Sequence, residues 1–338
     1  SFPAYSSQKF ETWFKRNAAK EQDKYKKHVS YFHGCYVNYN FPQLGKDLVK
    51  IMNAVGYGVH LLEKEKCCGV ALIANGLSNQ ARRQGEVNIN SIRKAAKENR
   101  IVLTTSSTCT FTMRDEYEHL LDIKIDDVKE NITLATRFLY RLIESGDIKL
   151  AFRKDFKMHA AYHSACHMEK MGWVIYSTEL LKMIPGLKLT MLNSQCCGIA
   201  GTYGFKKENY ERSQQIGSGV FKQIKDVNPD YVTTDCETCK WQIEMSTGYD
   251  VKKGNFTLTP YVGLVHDTVR RGSFTEENSQ FGLTAGKKTY NQTAGLVGLR
   301  VGQGVNWNNG SKSTFQAYVT HQRAFKEQDL NFEAAYTG

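Results

Sequence analysis

Two stretches decide how this 338-residue chain folds: KCCGVALIANG at residues 66–76 and QCCGIAGTYG at residues 195–204. Each joins two adjacent cysteines to a glycine, and the thiols around them repeat in order. Cys35, Cys67 and Cys109 have counterparts in Cys166, Cys196 and Cys239, which lie 131, 129 and 130 residues further on. The flanks repeat as well, YFHGC (31–35) with YHSAC (162–166) and LTTSSTC (103–109) with VTTDCETC (232–239). A common offset at three separate motifs marks an internal duplication. One position breaks it. The second copy has Cys236 where the first has Ser106, so one set holds four thiols (Cys35, Cys67, Cys68, Cys109) and the other five (Cys166, Cys196, Cys197, Cys236, Cys239).

Hydrophobic periodicity places these motifs on similar elements in both copies. In the first, HVSYF (28–32) is β-rich and runs into Cys35, LGKDLVKIMNAVG (44–56) has helical spacing, and GVHLLE (58–63) is extended and leads to Cys67. SNQARRQGEVNINSIRKAAKEN (78–99) is a long amphipathic helix, and IVLTT (101–105) runs into the last cysteine. The second copy repeats the order with MHAAYH (158–163), a helix over 169–184, LKLTML (187–192), a helix over 208–226 and YVTTD (231–235). Alternating strand and helix predicts an α/β fold: two pseudo-repeated βαβαβ domains with small parallel sheets, at 29–150 and 151–247. Every cysteine group then follows the C-terminal end of a strand, the edge where such sheets bind ligands.

Composition narrows the field. At 41% hydrophobic and 23% charged, the chain has the make-up of a folded soluble protein, and no run approaches the roughly 18 apolar residues of a membrane-spanning helix. The first residues show no apolar stretch followed by a small-residue cleavage site, so the expected compartment is the reducing cytosol. The net charge of +11 reads first as a solvated surface. Its densest basic run, KRNAAKEQDKYKK (15–27), follows Phe10, Trp13 and Phe14, and residues 1–28 are expected to form a basic amphipathic linker suited to an anionic membrane surface. No nucleic-acid recognition motif accompanies it, and no nucleic-acid partner is expected.

Disulfides are disfavoured in a reducing compartment, and adjacent Cys67 and Cys68 do not pair with each other without strain. Isolated core cysteines do not account for two aligned clusters with none outside them. Four thiolates make a closed tetrahedral zinc site, which fits the first set better than the second. Five thiols around one zinc leave one idle, whereas a polynuclear iron-sulfur cluster offers several irons. An iron-sulfur cluster is therefore expected at Cys166, Cys196, Cys197, Cys236 and Cys239. At Cys35, Cys67, Cys68 and Cys109 a cluster and zinc both stay open, with Ser106 as an oxygen ligand or the trace of a degenerate site. Gly69 and Gly198 are expected to let the backbone approach a bulky cluster closely.

The strings YFHGCYVNYNFPQLGKDLVK (31–50), EKCCGVALIANG (65–76), TTSSTCTFTMRDEY (104–117), CHMEKMGW (166–173), SQCCGIAGTYGFKKENY (194–210) and TDCETCKWQIEMST (234–247) carry a resemblance. The chain up to about residue 247 resembles the tandem cysteine-rich CCG domains of heterodisulfide reductase B subunits, of lactate-utilisation proteins and, above all, of anaerobic glycerol-3-phosphate dehydrogenase C subunits. The resemblance implies an iron-sulfur electron-transfer and membrane-tethering subunit, peripheral on the cytoplasmic side of the inner membrane. Electrons would pass from a glycerol-3-phosphate-oxidising flavoprotein partner to quinone, through clusters of 4Fe-4S type, cubane or non-cubane, held by the nine cysteines. A disulfide- or small-substrate-reducing enzyme and a zinc-stabilised scaffold are the alternatives. The family's ferredoxin-like segment has no counterpart in these residues.

After Thr247 cysteine disappears, and GNFTLTPYVGLVHDT, TAGLVGLRVGQGVNW and STFQAYVTHQRAF alternate in apolar character, as antiparallel strands do. Residues 248–338, including GYDVKKGNFTLTPYVGL and the ending NFEAAYTG, resemble part of an autotransporter β-barrel. About six strands of roughly 10 residues do not close a barrel. Export and thiolate clusters also need opposite compartments, so a fused fragment without its usual function is expected, with a small soluble β-domain as the alternative.

Other polar residues near the thiols are His33, His163 and His167, candidates for ligating metal or carrying a proton. Glu169, Lys170, Lys206, Lys207, Asp235 and Glu237 flank the second set and read as surface or supporting residues. GIAGTYG lacks the Lys-Ser/Thr ending of a phosphate loop, so nucleotide binding is not expected.

Overall fold

A computed structural model describes residues 5–152 and 155–247 and, beyond them, the backbone of residues 251–253, 256–271, 273–275, 283–286, 288–306, 312–324 and 335–336. The chain divides into two compact units, one of residues 2–247 and one of residues 248–338.

The first unit opens with α1 (Phe10–Asn17), α2 (Ala19–Gln22) and β1 (Lys27–Phe32), followed by α3 (Gly34–Tyr39), α4 (Pro42–Ala54) and β2 (Tyr57–Leu61). Then come α5 (Val70–Ile73), α6 (Ser78–Lys97), β3 (Ile101–Thr104), α7 (Ser107–Phe111), a π-helical turn (Thr112–Glu116), α8 (Tyr117–His119), β4 (Ile132–Leu134) and α9 (Ala135–Glu144). The strands pair in parallel in the order β2-β1-β3-β4. The same path recurs through β5 (Met158–Tyr162), α10 (Cys166–Met171), α11 (Val174–Lys182), β6 (Leu187–Met191), α12 (Tyr210–Val227), β7 (Tyr231–Thr233) and α13 (Glu237–Thr247). Its parallel order is β6-β5-β7, which repeats β2-β1-β3 strand for strand. The α/β reading of both halves holds, and β4 with α9 is an addition without a counterpart among the described residues of the second half.

Helices cover both faces of the first sheet, so its strands are buried on both sides. Successive side chains of a strand point to opposite faces: Val29 and Tyr31 of β1 join one core with Phe10, Leu48, Met52 and Leu139, while Phe32 joins the other with Ile89, Ile92, Val102 and Ile132. Residues 5–28 do not stand off as a linker. Phe10 and Phe14, one turn apart on α1, are 0% and 4% exposed in the first of these cores, because an aromatic stripe gains more from the sheet than from water. The helix read over 169–184 is two helices. Gly172, at φ +67, ends α10 in the left-handed conformation, and α11 restarts at Val174.

The two lobes of this unit are fastened by Trp173, whose ring lies under the guanidinium groups of Arg137 at 4.3 Å and Arg114 at 5.0 Å. Such cation-π contacts strengthen when desolvated, and Trp173 is 8% exposed. Among the described residues no helix is long and apolar enough to cross a membrane.

The second unit contains β8 (Val251–Lys253), β9 (Phe256–Arg271), β10 (Phe274–Thr275), β11 (Leu283–Ala285), β12 (Lys288–Asn306), β13 (Lys312–Ala324) and β14 (Ala335–Tyr336). β13-β12-β9-β8 and β10-β11-β14 are two antiparallel sheets. The tail is antiparallel as expected, but its main strands are longer than roughly 10 residues, at 16, 19 and 13. GYD (248–250) and most of NFEAAYTG (331–338) lie outside the described residues.

Candidate metal centres

All nine cysteines are free thiols, and each follows a strand of one of the two parallel sheets. Cys35 sits in the first turn of α3 after β1, Cys67 and Cys68 follow β2, and Cys109 lies in α7 after β3. Cys166 opens α10 after β5, Cys196 and Cys197 follow β6, and after β7 Cys236 directly precedes α13 and Cys239 lies in its first turn. Two separate sets result. Cys67 Sγ is 3.9 Å from Cys35 Sγ, and further thiol hydrogen bonds link Cys67 to Cys68 and Cys68 to Cys109. In the second set the sulfurs of Cys197 and Cys239 are 3.1 Å apart, Cys196 and Cys236 bond to this pair, and Cys166 lies within the electrostatic reach of Cys236 and Cys197.

Within each set, sulfur-to-sulfur hydrogen bonds pull some thiols down and push others up. Hydrogen bonding with Cys35, and then with Cys68, pulls the Cys67 thiol down to about 3, while its hydrogen bond with Cys67 and burial push the Cys35 thiol up. Cys197 is likewise held well below the usual thiol range by hydrogen bonding with Cys196 and Cys239, and the hydrogen bond with Cys239 lowers Cys236 to about 6. Thiols close enough to share protons are a ligand set whose protons a metal displaces. The buried hydroxyls of Ser107, Ser164 and Thr234, on the loops that carry these thiols, have no hydrogen-bond partner. Buried polar atoms are normally paired. Soft donors in excess of four, with unpaired hydroxyls beside them, fit a polynuclear group that brings its own acceptor atoms.

The paired-cysteine loops are pinned from the helices behind them. Asn88 of α6 accepts the Lys66 N–H at 2.8 Å and donates to the Cys67 carbonyl at 3.3 Å. Ser213 of α12 donates to the Gly198 carbonyl at 2.8 Å. Gly69 and Gly198 have φ of +93 and +88, a conformation that favours glycine. A Cβ on Gly198 would meet the Ser213 carbonyl oxygen at 2.0 Å. That glycine therefore serves the turn and its packing on α12; the close approach visible there is to a helix. Asn88 and Ser213 were legible as polar residues on the apolar stripes of their helices, with Ala81, Gly85 and Ile92 and with Gly217, Val220 and Ile224.

A carboxylate that the sequence did not single out organises the first set. Glu65 accepts the backbone N–H of Gly34 at 2.8 Å and of His33 at 3.2 Å, and His33 Nδ1 is 3.1 Å from it. Burial pushes the Glu65 carboxyl up to about 8 and the His33 imidazole down. Ser106 caps α7 by accepting the Cys109 N–H at 3.2 Å, and its hydroxyl also bonds Glu237 of the other lobe. Burial raises Glu237 to about 8. Asp235 accepts from Tyr162 at 2.5 Å and from Ser177 at 2.8 Å, and its carbonyl takes the Ser107 N–H at 2.8 Å. Asp235 and Glu237 are thus recessed at the lobe interface, whereas Glu169, Lys170, Lys206 and Lys207 are exposed.

The histidines part company. His163, 1% exposed, has a ring nitrogen grouped with the sulfurs of Cys197 and Cys239, all within 4.8 Å of one another. His167 Nδ1 is 3.0 Å from the Thr108 hydroxyl, and its ring stacks on Phe111 at 4.9 Å. His33 turns to Glu65. The lobes also meet where Asn75, after the first cysteine pair, donates at 3.0 Å to Thr202, after the second.

Comparison with known proteins agrees with this architecture. Residues 29–114, in the first lobe, match the family model described as the cysteine-rich domain, CCG. Residues 201–338 match the autotransporter β-domain model, a match that begins before the antiparallel strands. Among curated proteins, the chain is 56% identical over 248 residues to the anaerobic glycerol-3-phosphate dehydrogenase C subunit of Escherichia coli strain K12, covering 73% of this chain and 62% of that one. It is 29% identical over 220 residues to an uncharacterized iron-sulfur protein of Methanocaldococcus jannaschii, covering 64% of this chain and 41% of the relative. To the lactate utilization protein A of a Geobacillus species it is 28% identical over 220 residues, covering 62% and 87%. The resemblance read from the cysteine motifs is therefore sound, and the chain spans about three fifths of the glycerol-3-phosphate dehydrogenase relative.

Proposed function

We propose that this chain is an iron-sulfur electron-transfer subunit of an oxidoreductase complex. The observation that carries this is the gathering of nine free cysteines into two sets at the C-terminal rims of matching parallel sheets, one set holding more thiols than a single zinc uses. Cys166, Cys196, Cys197, Cys236 and Cys239 are the proposed ligands of a 4Fe-4S-type cluster, cubane or non-cubane. Cys35, Cys67, Cys68 and Cys109 are those of a second centre, a cluster or zinc. An iron-sulfur cluster held at these rims supplies a one-electron carrier. The protein's part is to present the thiolates, exclude bulk water through the buried Cys68, Cys197, Cys236 and Cys239, and leave Cys35, Cys166 and Cys196 toward the surface.

From its similarity to the Escherichia coli protein, the reaction served is glycerol 3-phosphate oxidation on a flavoprotein partner, with electrons passed on to quinone at the inner-membrane surface. The aromatic face of α1 is committed to the core; what remains for an anionic lipid surface is the basic side, including Lys15, Lys20 and Lys24. Residues 248–338 are proposed to be an autotransporter-derived segment with no part in this chemistry, in keeping with the family match. If limited proteolysis leaves 248–338 as a protease-resistant unit, the idea of a fused fragment without its usual function fails.

A second reading rests on His163, Cys197 and Cys239, whose ligand atoms lie within 4.8 Å of one another and suit a single zinc ion. Anaerobic purification followed by chemical reduction separates the two. Reversible bleaching of a visible chromophore, with turnover of glycerol 3-phosphate to a quinone when partner subunits are added, supports the electron carrier. A colourless protein with no reducible signal excludes it.

A further inference from the structure

Cys236 is the thiol on which the two lobes converge. Its sulfur is 3.2 Å from the hydroxyl of Thr238 in its own loop and 3.3 Å from the hydroxyl of Thr108 in the other lobe. These threonines are duplicates of one another, 130 residues apart like Cys109 and Cys239. The residue corresponding to Cys236 in the first lobe is Ser106, which is occupied in capping α7. The first lobe thus has no sulfur at that position, and its threonine reaches across to the second lobe's sulfur instead.

Thr108 has a single hydroxyl proton and two polar neighbours, Cys236 Sγ and His167 Nδ1 at 3.0 Å. A metal-bound thiolate only accepts, so the proton points to sulfur and the hydroxyl oxygen accepts from Nδ1–H of His167. His167 is held for this by stacking on Phe111, with ring planes 12° apart. The Ser107 N–H bond to the Asp235 carbonyl, at 2.8 Å, fixes the two loops in register.

We propose that Thr108 is a positioning residue for the second centre: a hydrogen-bond donor lent by the first lobe that raises the reduction potential of the cluster bound through Cys236. The inference rests on the iron-sulfur reading above. A donor to a ligand sulfur stabilises the more electron-rich, reduced form, and hydrogen bonds to the sulfurs are one of the levers that set cluster potentials. The first lobe thereby tunes the centre that it does not ligate.

The test is the midpoint potential of the reducible centre in the anaerobically purified full chain, with iron content measured in parallel and Cys236→Ser used to identify the second centre's signal. Thr108→Val is expected to retain iron and to shift that potential negative, by on the order of tenfold in the oxidised-to-reduced ratio, about 59 mV for a one-electron centre. Thr108→Ser, which keeps the hydroxyl, is expected to return the wild-type value. Thr108→Ala makes the same comparison if the valine variant loses iron. An unchanged potential in the hydroxyl-free variants overturns the proposal and leaves the iron-sulfur reading intact. A wild-type chain with no reducible centre removes both.

Discussion

The carboxylate of Glu65, two residues before Cys67, accepts the backbone N–H of Gly34, one residue before Cys35, at 2.8 Å. Two loops from different strands are thereby clamped so that their thiols share a site. Removing the acceptor leaves the N–H groups of Gly34 and His33 buried without a partner, at a cost of about 1–3 kcal/mol each. Glu65→Ala is expected to lower metal retention at the first set much more than at the second, and Glu65→Gln to restore most of it. Metal analysis of the purified variants checks this; equal losses at both sets would contradict it.

The two paired-cysteine glycines are not equivalent. A methyl group at Gly198 would collide with the Ser213 carbonyl at 2.0 Å, whereas at Gly69 it would rest 3.4 Å from Ala81. Gly198→Ala is expected to displace Cys196 and Cys197 and abolish metal binding at the second set. Gly69→Ala should cost only the strain of its positive φ, about 1–2 kcal/mol. Site-resolved metal content and thermal denaturation distinguish the variants, and matching behaviour would show that the two loops are supported alike.

Much of this arrangement was legible in the sequence. The common spacing of Cys35, Cys67 and Cys109 with Cys166, Cys196 and Cys239 gave the duplication, and hydrophobic period gave the strands ahead of each thiol. The supporting contacts were not legible. Glu65 acts on Gly34 and Thr108 on Cys236 across 31 and 128 residues, and no local pattern reports such a pairing. The break at Gly172 was hidden because an apolar run continues through it, and only the left-handed backbone there divides α10 from α11. Phe10 and Phe14 were seen as an amphipathic stripe, but periodicity alone does not say whether such a stripe faces lipid or a sheet.

That stripe makes its own prediction. Phe10, 0% exposed beside Tyr31 and Val37, behaves as a core residue, so Phe10→Ala should destabilise the cysteine-rich unit by about 3–5 kcal/mol. A lowered urea midpoint at an unchanged slope is the expected result. An unchanged midpoint, with only membrane association lost, would mean that the segment is a free amphipathic arm.

Thiol replacement tests the inequality of the two sets. Cys236→Ser or Cys239→Ser removes a buried ligand from the five-thiol set and should abolish its reducible signal, whereas Cys109→Ser should leave that signal largely in place. Equal effects on the reduced-state spectrum would contradict the asymmetry.

The central claim is that these duplicated thiol sets hold iron-sulfur centres, and quantification of iron, acid-labile sulfide and zinc in the chain purified without oxygen tests it most directly. The account predicts iron and sulfide in near-equal amounts, close to four of each for the five-thiol set on the 4Fe-4S reading, with zinc confined at most to the first set. A correctly folded preparation that contains zinc alone, or no metal, would contradict it.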